Sequence, residues 1–537
     1  MEYNKLNTKW LLLAVIVLTH VFTACEDDND LGSADRLFRP VVNETSFGGN
    51  WINYKWDKYD GVNYYELQLS ADSFETFIYE VEVDTNFYKF ENLEYDTDYY
   101  LRIKSVGDNL ESKYFVNDII TTSDFPTKLN SVTSSDVIDT QAKITWAEMN
   151  YDSLLVYRND TLEKSIILTD ANNAAKQIIV KALTTGSPYV VKAYFNGKYQ
   201  GKKGFMTADP QVFEGDVLDL RDTADNVAYS MLDQVFFDQL AIDHPNGVTV
   251  VLSGGTHYEL GGTILKAPLN LVTGYSLKGK AIIEVKGNFD TEADGQVGNI
   301  HLEKLAFTDH PEKPRTESNY GGTYIMNVSG AGSVIDTFSI EDCDIRYKRG
   351  VLRIKTGATV KAISINNCVI DSIAGYGAVN LDNSDIITNS ISVTNSTITN
   401  VELFVRTDKM AQDLENLTIS NLTTYYTPKS QFFRMGNISN VEITDCLFGA
   451  VWDPEAGAEG LRSSGIGTSK IQGNYRTSDC NWPVLTDSEG NITGEKNPIE
   501  STQLSETSPE IFEDIDSNDY TITDSRLVDR VGDPRWW

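Results

Sequence analysis

The sequence predicts an all-β protein: a parallel β-helix preceded by two β-sandwiches. Three observations predict it. A short strand phrase recurs seven times between residues 250 and 448. A block with Trp, Leu and Tyr landmarks occurs twice between residues 36 and 208. Within both regions apolar and polar residues alternate at the strand period rather than the helical one.

The phrase reads Tyr275-Ser276-Leu277, Ile300-His301-Leu302, Phe338-Ser339-Ile340, Ile363-Ser364-Ile365, Ile391-Ser392-Val393, Leu417-Thr418-Ile419 and Val441-Glu442-Ile443. Successive first residues lie 25, 38, 25, 28, 26 and 24 apart. A repeat of that length signals a solenoid. The long step holds an insertion, Asp309 to Gly322, rich in Pro, Gly and charge. One coil cannot bury its apolar face alone, so stacked neighbours must bury it. Two columns support the register. Asp342, Asn367, Asn395, Asn421 and Asp445 recur where a left-handed corner suits Asn and Asp. Leu305, Cys343, Cys368, Ser396, Leu422 and Cys446 recur one residue later and suit an interior stack.

This repeat resembles the pectate-lyase superfamily of right-handed parallel β-helices, over residues 209–537. An amphipathic stretch, Val227 to Leu240, precedes the strand Val248-Thr-Val-Val-Leu252, and the resemblance implies a capping helix ahead of the first coil. The superfamily holds lyases, hydrolases, esterases and binding proteins, so chemistry must be argued from the site.

In the sandwich region, residues 36–123 and 124–208, Trp56, Leu93 and Tyr99 return as Trp146, Leu183 and Tyr189, each 90 residues on. An early Trp and a later Leu…Tyr corner resemble fibronectin type III domains. Each Trp is expected in a core. Such modules serve as spacers, or bind glycan through exposed aromatics, for which Trp51, Tyr54, Tyr64 and Tyr65 are the candidates.

The chain opens with a targeting segment, residues 1–24. Lys5 and Lys9 precede the apolar run Trp10 to Val21, too short to span a membrane comfortably. Phe22-Thr-Ala-Cys25 resembles a bacterial lipobox, with Phe22 in place of the usual Leu. The resemblance implies cleavage before Cys25 and lipidation of it. The acidic linker, residues 25–35, contains Glu26-Asp-Asp-Asn-Asp30 and is similar to the surface-display signal of Bacteroidota lipoproteins. That implies a lipid anchor in the outer membrane, facing the cell exterior. A formal net charge of −33 argues against nucleic-acid partners and repels anionic polymers at long range. Any acidic substrate then needs a locally basic groove or a bound cation. The five Cys do not suggest a disulfide framework.

Each coil carries a further strand where chemistry is expected. Val351-Leu-Arg353-Ile-Lys355, Ala378-Val-Asn380-Leu-Asp382, Phe404-Val-Arg406-Thr-Asp408 and Phe432-Phe-Arg434-Met-Gly436 share one frame. Stacking puts Arg353, Asn380, Arg406 and Arg434 in one outer column, and Lys355, Asp382 and Asp408 in the next. Leu352, Ile354, Val379, Leu381 and Val405 point inward. Arg346, Lys348 and Arg349 are expected to add positive charge near one end. Arginine forks suit the carboxylates of uronic acids.

By resemblance to the superfamily's lyases, Asp382 and Asp408 would hold Ca²⁺, Arg406 or Arg353 would be the base, and Arg434, Lys355, Asn380, Arg346 and Arg349 would bind substrate. An arginine base needs strong local perturbation. The alternative is a ladder of Arg–Asp pairs that keeps stacked strands soluble and in register. Arg353-Ile-Lys355 also resembles the binding tripeptide of polygalacturonase-type hydrolases, but their Gly-His-Gly and clustered aspartates are missing. His244, His257, His301 and His310 show no metal-ligand spacing and read as turn or surface residues.

After Phe448 the repeat fades, and Ala450 to Thr502 reads as long loops. The tail from Asp519 to Trp537 resembles that of Bacteroidota lipoproteins assigned to domain-of-unknown-function families 4957 and 5123. The expected function is a surface lipoprotein that binds an acidic, pectin-like polysaccharide and presents it to a glycan-uptake complex. A Ca²⁺-dependent polysaccharide lyase and a non-glycan structural adhesin are the alternatives.

Overall fold

The computed structural model describes residues 36–312 and 320–537. The signal peptide, Cys25 and the acidic linker lie outside the described residues, as does part of the insertion before Tyr320. Among the described residues no helix is long and apolar enough to cross a membrane. The chain divides into two compact units; one holds most of both sandwiches and the other the β-helix.

The first sandwich pairs Val42–Phe47, Ile52–Trp56 and Phe87–Phe90 in one antiparallel sheet. Tyr79–Val83, Tyr64–Ser70, Asp98–Val106 and Phe115–Val116 form the other. Alternation along Asp98–Val106 turns Tyr99, Leu101 and Ile103 into the core, where Trp56 is fully buried. Tyr99 accepts the Glu94 backbone N–H at 2.9 Å, the tyrosine corner of fibronectin type III folds. In the second repeat Thr161–Ile167, Ser153–Arg158, Pro188–Phe195 and Lys198–Met206 form one sheet, and Ala142–Thr145 pairs with Gln177–Val180. Trp146, Leu183 and Tyr189 are buried like their counterparts. The proposed aromatic surface is corrected: Tyr54 and Tyr65 belong to the core, at 0% and 1% exposure, because both fall on the inward phase of their strands. Trp51 and Tyr64 are half-buried.

The β-helix stacks three strands per coil, as in Val334–Glu341, Asp344–Lys348 and Gly350–Ile354. First and second strands join an 18-stranded parallel sheet, and third strands form an 8-stranded one. The phrases from Ile300 onward pair in the expected register; Ile300 lies opposite Phe338, Phe338 opposite Ile363, and Ile363 opposite Ile391. The first copy is corrected. Leu269-Asn270-Leu271, not Tyr275-Ser276-Leu277, lies opposite Ile300-His301-Leu302. Residues 274–279 form a turn that lengthens this coil, and Tyr275 is exposed there.

The interior column is fully buried from Leu305 to Cys446. The corner column is left-handed throughout, with φ of 49° at Asp342, 53° at Asn367, 50° at Asn395, 53° at Asn421 and 56° at Asp445. Lys304 and Gly473 extend it at both ends, with φ of 54° and 71°. An L-residue with an ordinary Cβ pays about 1–2 kcal/mol there, and Asn pays less. Asn421→Ala should therefore lower the urea midpoint by a loss of about 1 kcal/mol, while Asn421→Gly holds it. Equal loss in both variants would mean that the side chain, not the backbone angle, matters.

Two further boundaries differ from expectation. The amphipathic stretch breaks into helices Asp225–Ala228 and Gln234–Asp243, because the Asp233 carboxylate accepts the Phe236 N–H and restarts the helix. Phe237 then packs 5.5 Å from Phe289 and closes the core. At the other end the repeat persists past Phe448: Glu459–Arg462, Gly465–Gln472 and Tyr475–Arg476 stack as a further coil on Gln431–Arg434, Asn437–Thr444 and Leu447–Phe448. Ser469 stands where earlier coils carry an apolar residue, which hid this coil in the sequence.

The C-terminal tail docks on this stack. Asp533, fully buried, accepts the Thr397 hydroxyl at 2.7 Å, and its N–H donates to Thr423 at 2.9 Å. Arg535 donates to the Asn367 carbonyl at 2.7 Å, and the Trp536 indole N–H donates to Thr397 at 2.7 Å.

Candidate functional site

Third strands place Asn327, Arg353, Asn380, Arg406, Arg434 and Arg462 in one row, each opposite the next. Between them Leu352, Ile354, Val379, Leu381 and Val405 point inward and are fully buried. Parallel strands are about 4.8 Å apart, so the row rises by about that much per coil.

The arginines and the neighbouring aspartates interlock. Arg353 Nη2 lies 2.7 Å from Asp382 Oδ2, and Arg406 Nη1 lies 3.7 Å from Asp382 Oδ1. Arg406 Nε donates to Asp408 Oδ1 at 2.8 Å, and Arg434 Nε donates to Asp408 Oδ2 at 2.7 Å. The order is therefore Arg353, Asp382, Arg406, Asp408, Arg434. Arg462 follows, exposed and without an ion pair among the described residues. Each paired guanidinium spends one or two of its five donors on aspartate, so donors remain for a ligand.

Burial works against the Asp408 charge, but Arg406 and Arg434 outweigh it and hold its pKa below the ordinary carboxylate value. The native state then binds this proton more weakly than the unfolded chain, so the stabilisation is present above the ordinary carboxylate range. It is lost as pH falls through the lowered native value. Asp408→Asn should cost about 1–2 kcal/mol near neutral pH, read as a lower thermal midpoint. The gap from wild type should close as pH falls through that lowered value. A gap that ignores pH would mean lost packing rather than lost charge.

The aspartates do not fit a calcium ion. Calcium takes six to eight oxygens, whereas all four carboxylate oxygens here face guanidinium groups. Among the described residues no group of three or more His, Cys, Asp or Glu is placed to hold a metal. Arg406 and Arg353 are donor-only groups, each engaged by a carboxylate.

The remaining candidates separate. Lys355 is exposed at the edge of the same face. Asn380 keeps its place in the row but is fully buried beneath its neighbours, a correction to its open position. Arg346 belongs to a second strand, opposite Asp371, and so lies on a different face from the ladder. Lys348 is buried at 0% exposure and adds no surface charge, since the corner at Tyr347, with φ of 56°, turns it inward. Arg349 stands at the corner that leads into the ladder strand.

Sequence reasoning missed two features. Arg462 was legible, because it lies 28 residues after Arg434, a spacing already used by the repeat. The other is a cluster at the cap. His257 Nδ1 lies 2.6 Å from Glu284 Oε1, and the Tyr229 hydroxyl donates to Glu284 Oε2 at 3.0 Å. His310 is 3% exposed and lies 2.7 Å from Glu259 through Nε2. Its Nδ1 accepts the Glu312 N–H at 3.1 Å, which leaves the proton on Nε2, facing Glu259. Burial, then Glu284, pushes the Tyr229 hydroxyl up to about 12. His257 and His310 are thus paired groups rather than bare turn residues, and Tyr229 ties the cap to them through Glu284 and His310. Tyr229 comes from the cap and His310 reaches Glu259 from 51 residues away, so no repeat spacing announces these contacts.

Residues 257–401 match the model of a domain of unknown function, DUF4957. The match covers the early coils and the start of the ladder, Arg353 and Asp382; Arg406, Asp408, Arg434 and Arg462 lie beyond it. No curated protein matches the chain. Among solved structures, a two fibronectin type III domain segment from chicken tenascin is 16% identical. It covers 32% of this chain and 98% of its own, with a TM-score of 0.19. The FN1–FN3 domains of chicken CNTN1 are 13% identical, over 32% of this chain and 65% of that one, with a TM-score of 0.15.

Proposed function

We propose that this protein binds an acidic, uronate-bearing polysaccharide along the third-strand face of its β-helix, as a surface lipoprotein anchored through Cys25 that presents polymer to a glycan-uptake complex. One observation supports the reading above the others. Arg353, Arg406, Arg434 and Arg462 stand in one row over five consecutive coils, and only two aspartates hold the first three of them. On a chain of net charge −33 this row is a local excess of cations. The step of about 4.8 Å per coil is close to the advance of one sugar in an extended chain, so carboxylates can meet successive arginines. The aspartates fix the guanidinium groups in advance, which reduces the ordering cost of binding.

The test is electrophoresis of the protein, from Asp27 onward, through a gel containing polygalacturonate, together with ultraviolet absorbance of the mixture. Retardation without a rise in absorbance is the expected result. A calcium-dependent rise from unsaturated uronate would make the protein a lyase instead. Neither signal would leave the structural adhesin.

A further inference from the structure

Arg349 differs from the arginines of the ladder. It lies four residues before Arg353 on the same coil, as Tyr376 lies four before Asn380 on the next. Its guanidinium carbon is 4.1 Å from the Tyr376 ring centroid and 6.0 Å from that of Tyr324. Two aromatic faces therefore hold it in place. Yet no carboxylate pairs with it among the described residues, and its Nε is buried without a hydrogen-bond partner.

The surroundings share that unmet demand. Tyr324 is 3% exposed and its ring covers Gly350, where an added Cβ would come within 2.2 Å of it. Its hydroxyl, which faces Asn380, closes no hydrogen bond of good geometry, and neither do the Asn380 amide nitrogen and oxygen or Arg353 Nε. Buried polar groups are nearly always satisfied, so a concentration of unsatisfied ones calls for ordered water or a ligand. Tyr376 meanwhile leaves 49% of its surface open.

We propose that Arg349, held by Tyr324 and Tyr376, is the residue that selects the carboxylate of the bound sugar, with the Tyr376 ring as the platform for the sugar face. This rests on the polysaccharide-binding reading above. The basis is competition for charge. Arg353, Arg406 and Arg434 already have aspartate partners, so a uronate must share them. Arg349 has none and, unlike the exposed Arg462, equally unpaired among the described residues, is held by two aromatic rings, so its planar fork is preset to match a carboxylate with two parallel hydrogen bonds. A methyl-esterified uronate offers neither the charge nor the second acceptor, and it leaves the guanidinium unpaired. Discrimination of that kind exceeds what a row of shared charges gives.

Isothermal titration with polygalacturonate and with its methyl ester tests this. Wild type should prefer the acid form. Arg349→Met should weaken acid binding about tenfold and leave ester binding unchanged, so that the preference collapses. Arg349→Lys, which retains the charge but not the fork, should lose part of the preference and guards against misfolding of the first variant. Tyr376→Ala should weaken both polymers alike. If both Arg349 variants retain the preference while Arg406→Ala loses binding, this inference falls and the polysaccharide reading stands. If wild type retains neither polymer, both fall.

Discussion

Arg406→Ala is expected to weaken polygalacturonate binding by about 10–100-fold, the equivalent of one charge-assisted hydrogen-bond set of about 1.5–3 kcal/mol. Arg406 is the centre of the ladder, reaching Asp382 on one side and Asp408 on the other. Truncation removes a cation from the row and also exposes what it covered. Asp382 keeps only Arg353, and Asp408 keeps only Arg434. Two carboxylates then face the polymer with less compensation, so the loss is attraction plus added repulsion. Arg406→Lys restores the charge without the fork and should recover part of the affinity. Arg406→Ala should also bind with a shallower dependence on salt than wild type, because fewer charges are engaged and exposed charges are screened within about 10 Å at ordinary ionic strength. The inward neighbours Val405 and Leu381 are untouched, so the thermal midpoint should fall no further than in Asp408→Asn, which breaks the same pair. Equal affinity in wild type and Arg406→Ala would reduce the ladder to a device for keeping strands in register.

The ladder is legible in the repeat alone because a solenoid converts sequence period into spatial adjacency. Arg353, Asn380, Arg406 and Arg434 share a frame, and the coils do the rest. The left-handed corner is legible for the same reason: Asn and Asp recur where φ is positive. What the frame does not show is depth. Asn380 holds its place in the row yet is fully buried, because Tyr324 and its arginine neighbours lie over it. Lys348 carries a surface residue's chemistry but sits at 0% exposure, since a second corner, at Tyr347, Ser372, Asn400 and Tyr426, reverses the alternation. That corner is left-handed too, with φ between 49° and 60°, but two tyrosines and a serine do not advertise it. Contacts made outside the period leave no trace in the spacing. The Tyr229–Glu284 bond depends on the cap, the His310–Glu259 pair spans 51 residues, and the tail reaches back more than 100.

Removal of Asp533 to Trp537 is expected to lower the thermal midpoint on the order of 5–10 °C and to broaden the transition. A solenoid is stabilised by nearest-neighbour interfaces, so its terminal coils fray unless something spans them. The tail does span them. Gly532 N–H donates to Asp445, Asp533 bonds Thr423 and Thr397, Trp536 bonds Thr397, and Arg535 bonds Asn367. These partners belong to four successive coils. At about 1 kcal/mol net per hydrogen bond, the bonds lost with residues 533–537 are worth about 4–5 kcal/mol. Thr397 and Thr423, fully buried beneath the tail, regain water when it goes, which offsets part of that. Asp533 itself adds a pH signature. Burial raises its pKa above the ordinary carboxylate value, against the pull of Arg535. The native state therefore binds its proton more tightly than the unfolded chain, and this contribution is full below the ordinary carboxylate value and lost as pH rises through the raised native one. Asp533→Asn should remove that slope while the tail stays docked through Arg535 and Trp536. A truncated chain that melts as sharply and as high as wild type would show that the coils cohere without the strap.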